Sequence, residues 1–222
     1  MQQTPLTNEY NPDLFKIIPK GLRRIIEVGC SNGALAKAYR TENIDCEYIG
    51  IEIDKAYADI AGQSCSKVLC GNIEALTDED FNALFPADCW VFGDALEHLH
   101  DPWAVLKRIR ARIQKDACIV ASIPNAQHWS VQANLACGAF RYKDKGIFDR
   151  THLRWFTRTT IIELFGSTGF KVCDGVPRIF DDPQRHRFIP SIRSMAIALG
   201  ADPEMAVNDS LPDQYVIKAV PV

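Results

Sequence analysis

The chain has 222 residues, 47% hydrophobic and 24% charged, a size and composition that suit one domain with a sizeable core. Its formal net charge of −3 gives no overall basic field for nucleic acid, and no apolar run approaches the roughly 20 residues a membrane helix needs. The opening MQQTPLTNEYNPDLF lacks the charged start and apolar core of a signal peptide, and the eight cysteines are scattered without a C-x-x-C pair. They read as reduced core residues of a cytoplasmic protein, not as a disulfide frame or zinc site.

After an expected helical lead-in over residues 1–22, short apolar runs alternate with amphipathic segments. Residues 24–28 read as a buried strand, followed by a helix after Gly33 that carries Leu35, Ala36 and Tyr39. A strand over 47–52, a helix from Lys55 to Cys65 and a strand over 67–70 come next. Thr77 caps a helix that ends near Leu84, and 89–92 is a fourth strand. Asp101-Pro102 opens a helix through Ile113, and 118–123 is a fifth strand, stopped by Pro124-Asn125. Regular alternation breaks over 126–156 and resumes with a helix over 157–168, a strand over 170–173, a helix over 192–199 and a strand over 215–220. Alternating strands and helices with continuous apolar strands imply a doubly wound α/β sandwich around a parallel sheet. An irregular segment of thirty-odd residues inside such a domain suits a lid over an acceptor site.

Gly29-Cys30-Ser31-Asn32-Gly33 matches G-x-S-x-G, the form of a hydrolase nucleophile elbow. Only 28 residues precede it, with no glycine-rich oxyanion segment among them, so Ser31 reads as a loop residue. The dinucleotide fingerprint fails as well, because Ala34 stands where its third glycine belongs. Two carboxylates decide. Glu27 ends the first strand, where a pyrophosphate binder would not want a carboxylate, and Glu52 ends the second, where one can accept ribose hydroxyls. A ligand with a ribose, no phosphates and a cationic amino-acid tail suits the pair, and S-adenosylmethionine is such a ligand.

IIEVGCSNG, YIGIEID, GNIEAL, DALEHLHDPW and SIPNAQHW, in that order, resemble the motifs of class I S-adenosylmethionine-dependent methyltransferases. The later GIFDRTHLRWFT and LFGSTGF are similar to a broad branch linked to glycan and secondary-metabolite pathways. The resemblance runs from Tyr10 to Val172 and implies a mostly parallel, seven-stranded Rossmann-like sheet in a single domain. Its cofactor-binding half would be 23–125, its lid insertion 126–156, and 157–222 would complete the sheet. It implies that Glu27, Gly29, Cys30, Ser31 and Gly33 surround the methionine part and ribose of S-adenosylmethionine, with S-adenosylhomocysteine as product. Glu52 would hold the ribose hydroxyls and Ile53 the adenine face. Gly71, Asn72 and Ile73 would meet the adenine edge, and Asp94, Ala95 and Leu96 would floor the site near the sulfonium. Ser31 replaces a common glycine and Asn72 a common aspartate; the serine fits if its backbone dihedral is ordinary, and the amide oxygen can still accept from adenine.

The acceptor is read as a small molecule, acidic or sugar-like, methylated on a hydroxyl with His128 or His152 as general base. Trp129 and Tyr142 would line its site together with Arg154, one of several basic residues in the segment; Trp155 is the third aromatic there. If helical, Asp94, Glu97 and His98 would share a face able to hold a divalent metal with a later histidine, but the expected role of the phrase is to brace the helix, without metal. Two rival functions stay open, a non-catalytic S-adenosylmethionine-binding regulator and a nicotinamide dehydrogenase.

Overall fold

A computed structural model describes residues 5, 6 and 8–222, so the expected lead-in falls partly outside the described residues, at 1–4 and 7. The strands are β1 (Arg24–Val28), β2 (Glu47–Glu52), β3 (Lys67–Cys70), β4 (Cys89–Gly93), β5 (Cys118–Pro124), β6 (Phe170–Arg178) and β7 (Gln214–Pro221). They form one sheet in the order β3-β2-β1-β4-β5-β7-β6. β1 pairs in parallel with β2 on one side and β4 on the other, which puts the topological switch point beside β1. β7 runs antiparallel between β5 and β6, with Gln214 opposite both Pro124 and Arg178.

Helices cover both faces, as continuous apolar strands require. On one face lie α1 (Pro12–Ile17), α2 (Ala34–Glu42) and α3 (Lys55–Ala61), which pack Leu14, Leu35, Tyr39 and Ala61 against Ile25, Tyr48, Val91 and Val120. On the other lie α4 (Asp78–Asn82), α5 (Pro102–Arg110) and α7 (Arg158–Ser167), with α6 (Trp129–Ala136) in the intervening segment. Phe81, Leu106, Ile109, Leu164 and Phe165 meet Ile26, Val28, Trp90 and Phe92 there. Adjacent strand residues thus point to opposite faces, Ile25 to the first and Ile26 to the second. Asp54 and Asp101 accept from first-turn amides of α3 and α5, closing the helix starts that follow β2 and β4.

Several boundaries differ from those expected. α3, α4 and α5 end at Ala61, Asn82 and Arg110, short of Cys65, Leu84 and Ile113. β6 continues to Arg178 past a register shift between Val172 and Asp174. The C-terminal part holds α8 (Ile189–Ala198) and also α9 (Pro203–Asp209), which was not expected. Cys30, Cys46, Cys65, Cys89 and Cys118 are buried and free, as core residues should be, but Cys70, Cys137 and Cys173 are exposed.

The close approach of β2 to the loop after β1 sets one strict requirement. A Cβ on Gly50 would stand 2.4 Å from the Cys30 sulfur and 3.2 Å from that of Cys65. Gly50→Ala is expected to cost about 1–3 kcal/mol of stability, read by urea unfolding. Cys30→Ala in the same chain should recover much of the loss; equal destabilisation in both backgrounds would show that the cysteine is not the obstacle.

Candidate active site

The C-terminal ends of the parallel strands β1, β2, β3 and β4 share one edge of the sheet, where open α/β sheets form their ligand crevice at the switch point, and the loop after β1 lies there. Gly29 (φ 73°) and Gly33 (φ 76°) take left-handed backbone, and a Cβ on Gly33 would meet the Ala61 backbone at 3.2 Å. Gly29 and Cys30 donate to the Ile51 carbonyl at 2.8 and 3.3 Å, which ties the loop to β2. Ser31 corrects the expectation of an ordinary dihedral, since its φ of 49° is also left-handed. That conformation costs a non-glycine residue about 1–2 kcal/mol and explains why glycine suits the position. In return the Ser31 amide donates to Glu52 Oε2 at 2.8 Å.

Glu52 is buried at the end of β2, its other oxygen accepting from the Asp54 amide at 2.9 Å. Two backbone donors thus fix a carboxylate beside the loop while each oxygen keeps a further lone pair. Glu27 is its buried neighbour on β1, accepting from the Tyr48 hydroxyl at 3.0 Å. Burial, reinforced by the Glu52 charge and opposed by the Tyr48 hydrogen bond, pushes its pKa up to about 8. Gly93 lies beside the carboxylate on the neighbouring strand β4: a Cβ there would stand 3.9 Å from Glu27 Oε1 and 3.2 Å from the Leu14 side chain.

Around this pair the expected residues divide. Ile53 is 55% exposed and offers an open apolar face beyond Glu52. The Gly71 amide donates to the Glu52 carbonyl, and the Asn72 side-chain oxygen caps Glu74 N at 2.9 Å. Asp94 follows β4 with φ 53°, its Oδ1 accepting from Ser122 Oγ at 2.9 Å and Gln214 Nε2 at 2.8 Å, and burial pushes its pKa to about 6. Cys30, Ile73 and Ala95 are nearly closed off by the core, and Leu96, with no exposed surface, does not floor a site here. Ser122, Gln214 and Tyr48 were missed. Tyr48 and Ser122 carried a signal, each a hydroxyl inside a buried, mostly apolar strand; Gln214 is brought in by the last strand, far from any motif.

The segment over 126–156 builds its own small core from Val131, Ile147 and Phe148, with Phe140 and Trp155 against it. Trp129 packs into a different cluster with Ile192 and Val207, 7% exposed and stacked on Phe188. Tyr142 is 62% exposed, edge-on to Phe140. Arg154 donates through Nε to the His100 carbonyl at 3.0 Å, and through Nη2 to the same oxygen, near the Trp103 ring. Arg150 pairs with Asp144 and, just beyond the segment, Arg158 with Asp209.

The two candidate bases stand apart. His128 caps α6, where Nδ1 accepts from Ser130 N at 3.4 Å and meets Ser130 Oγ at 2.8 Å. Its basic nitrogen is therefore spent on the helix start. His152 is almost fully covered, with Nδ1 3.1 Å from the Ile147 carbonyl and Nε2 3.9 Å from Glu97 Oε1. Burial pushes the pKa of both to about 4, too low for an efficient base toward a hydroxyl. Asp94 does not join Glu97 and His98 on a helical face, because its left-handed backbone precedes a single 3-10 turn over Leu96–His98.

A cavity of about 410 Å³ lies between α7, β6, β7 and the end of α9, lined chiefly by apolar side chains such as Ile161, Val176 and Leu211, with Arg158 and Asp209 among them. None of the expected cofactor residues lines it. Among the described residues no helix is long and apolar enough to cross a membrane.

A family model described as a methyltransferase domain matches residues 8–174. No curated protein matches the sequence. Among solved structures the chain is similar to an S-adenosylmethionine-dependent methyltransferase of Thermotoga maritima described as a possible histamine N-methyltransferase. The TM-score is 0.62 at 16% identity, over 94% of this chain and 86% of that one. The magnesium protoporphyrin IX methyltransferase of Synechocystis PCC 6803, with bound S-adenosylhomocysteine, gives 0.57 at 11% identity over 93% and 77%. A mitomycin 7-O-methyltransferase gives 0.56 at 12% identity, over 91% of this chain. The chain spans only 50% of that enzyme's length. At these identities the structures establish the shared fold.

Proposed function

We propose that this chain, which belongs to the methyltransferase-domain family, moves the methyl group of S-adenosylmethionine onto a hydroxyl of a small-molecule acceptor and releases S-adenosylhomocysteine. One observation carries the donor: two buried carboxylates, Glu27 and Glu52, end adjacent strands on either side of a loop held in left-handed backbone. Glu52, fixed by the Ser31 and Asp54 amides, accepts from the two ribose hydroxyls. Glu27 faces the α-ammonium of the methionine end. The Gly29–Gly33 backbone passes beneath the sugar, Ile53 covers the adenine, and Asn72 meets its edge.

In-line displacement asks little covalent chemistry of the protein, because the sulfonium is already a good leaving group. The oxygen of the acceptor must be brought behind the methyl carbon, stripped of water, and relieved of its proton. We assign the first two tasks to the segment over 126–156, which is tied to the turn after β4 by the Leu153 and Arg154 amides on the Glu97 carbonyl and to the end of β5 by the Asn125–Phe156 bridge. Its exposed Tyr142 and Arg154 are the side chains we assign to the acceptor, and Arg154 would favour an acidic one. His128 is assigned to capping α6. His152 is assigned to the acceptor's side, beside Glu97. The name of the mitomycin 7-O-methyltransferase supports oxygen as the accepting atom.

Calorimetric titration with S-adenosylhomocysteine and, separately, NAD tests the donor. Binding of the first alone is expected, and preference for NAD would end the reading. Transfer of labelled methyl to a panel of hydroxylated and amino small molecules tests the acceptor; label on nitrogen only would replace the hydroxyl.

A further inference from the structure

We propose that Glu97, His98 and His152 form a binding site for one first-row divalent transition-metal ion. Each offers a ligand atom, and these atoms lie within 4.8 Å of one another at the C-terminal end of β4. Glu97 is 1% exposed and neither of its carboxylate oxygens has a hydrogen-bond partner. An unpartnered buried carboxylate is costly, and a cation at this spot would satisfy it.

The histidines are oriented as metal ligands are. His98 Nδ1 stands 3.2 Å from the Thr151 carbonyl and His152 Nδ1 3.1 Å from that of Ile147. A carbonyl can only accept, so both rings carry their proton on Nδ1 and keep the Nε2 lone pair bare. Donation of the remote N–H to a backbone carbonyl is the usual support behind a ligating imidazole. The support continues outward: Thr151 Oγ1 donates to Asp149 Oδ1 at 2.6 Å, and Leu153 N and Arg154 N both donate to the Glu97 carbonyl. The turn after β4 and the 147–154 strip are thereby stitched into one unit. Metal–nitrogen bonds of about 2.0–2.1 Å would draw the three atoms together by about 1 Å, within reach of side-chain rotation.

Two imidazoles and one carboxylate suit Mn²⁺, Fe²⁺, Co²⁺, Ni²⁺ or Zn²⁺ over Ca²⁺ and Mg²⁺. Three protein ligands leave at least one coordination position. On the methyl-transfer reading, an acceptor hydroxyl enters it and gives its proton to solvent water. That oxygen then bonds to the methyl carbon while the carbon–sulfur pair stays on sulfur, leaving neutral S-adenosylhomocysteine. This use rests on the proposed function; metal uptake does not.

The test is titration of tag-free, chelator-stripped full chain with Co²⁺, followed by its visible d–d absorption. One equivalent is expected, with Mg²⁺ unable to compete and no thiolate charge-transfer band. Glu97→Gln and His152→Asn should each weaken uptake at least tenfold, while Cys70→Ser, Cys137→Ser and Cys173→Ser together leave it unchanged. Absence of uptake, uptake untouched by the first two substitutions, or uptake lost with the exposed cysteines would each overturn the site. If a variant fails to fold, pulsed paramagnetic resonance of the Cu²⁺-loaded wild type decides: two coordinated imidazoles are expected, and none overturns the proposal. A chain that binds Co²⁺ at these residues but not S-adenosylhomocysteine keeps the metal site and loses the methyl-transfer reading.

Discussion

Glu52→Ala is expected to weaken S-adenosylhomocysteine binding by about 100-fold, measured by calorimetry at neutral pH. A carboxylate accepting from two ribose hydroxyls makes two charge-assisted hydrogen bonds, each contributing about 1.5 kcal/mol or slightly more, and together these correspond to that factor. The substitution also removes the acceptor of the Ser31 amide, which holds the loop in its left-handed form. Adenosine, which carries the ribose but no amino-acid tail, should lose affinity by a similar factor. A loss confined to S-adenosylhomocysteine would move Glu52 from the ribose to the tail. Affinity within threefold of wild type for both ligands would remove it from the site. Glu52→Asp, which keeps the charge but shortens the reach by a methylene, should fall between.

The part of the fold that carries this crevice was the most legible in the sequence. β1, β2, β4 and β5 are buried over most of their length and mainly apolar, so their runs mark their ends to within a residue. The far edge of the sheet gave no such signal. Asp174-Gly175-Val176-Pro177-Arg178 prolongs β6 on an exposed edge, where polar residues, glycine and proline are tolerated and a bulge breaks the alternation. α9 was not expected because its seven residues are too few for a clear periodicity, although Asp202 caps it and Pro203 opens it. α6 starts on a histidine cap, outside the usual capping residues, and lies in the segment read as irregular.

The candidate site was legible where it follows the chain and hidden where it depends on folding. Glu27, the loop and Glu52 could be read because strand ends are local features. Helical spacing placed Asp94 with Glu97 and His98, yet a left-handed residue at Asp94 turns it toward Ser122 and Gln214 instead. His152 lies 54 residues after His98, and only the packing of the 147–154 strip on the turn after β4 brings the rings to 4.8 Å. No spacing rule encodes that approach.

The affinity for S-adenosylhomocysteine should rise with pH, by about tenfold between pH 6 and 7, and level off above pH 8. The cause is Glu27, whose carboxyl burial holds at about 8 in the free protein. The groups facing it are the Tyr48 hydroxyl, which favours the charged form, Glu52, which opposes it, and the Cys30 thiol, which stays neutral. An α-ammonium beside Glu27 requires the carboxylate and lowers its pKa, so the free protein must give up a proton to bind. With the free pKa at about 8, roughly nine in ten molecules are protonated at pH 7, and calorimetry in buffers of different ionisation enthalpy should find close to one proton released per ligand. The same shift sets the sign for stability. Between the ordinary 4.5 and 8 the folded free protein binds the extra proton, so its stability falls as pH rises through that window, and the ligand should offset the fall. Asp94, with its pKa at about 6, adds a second loss of the same sign at the lower end of the window. Glu27→Gln keeps an acceptor for the Tyr48 hydroxyl but cannot ionise; it should abolish both the proton release and most of the slope. Proton release that survives in Glu27→Gln would assign the titration to another group and separate Glu27 from the methionine end.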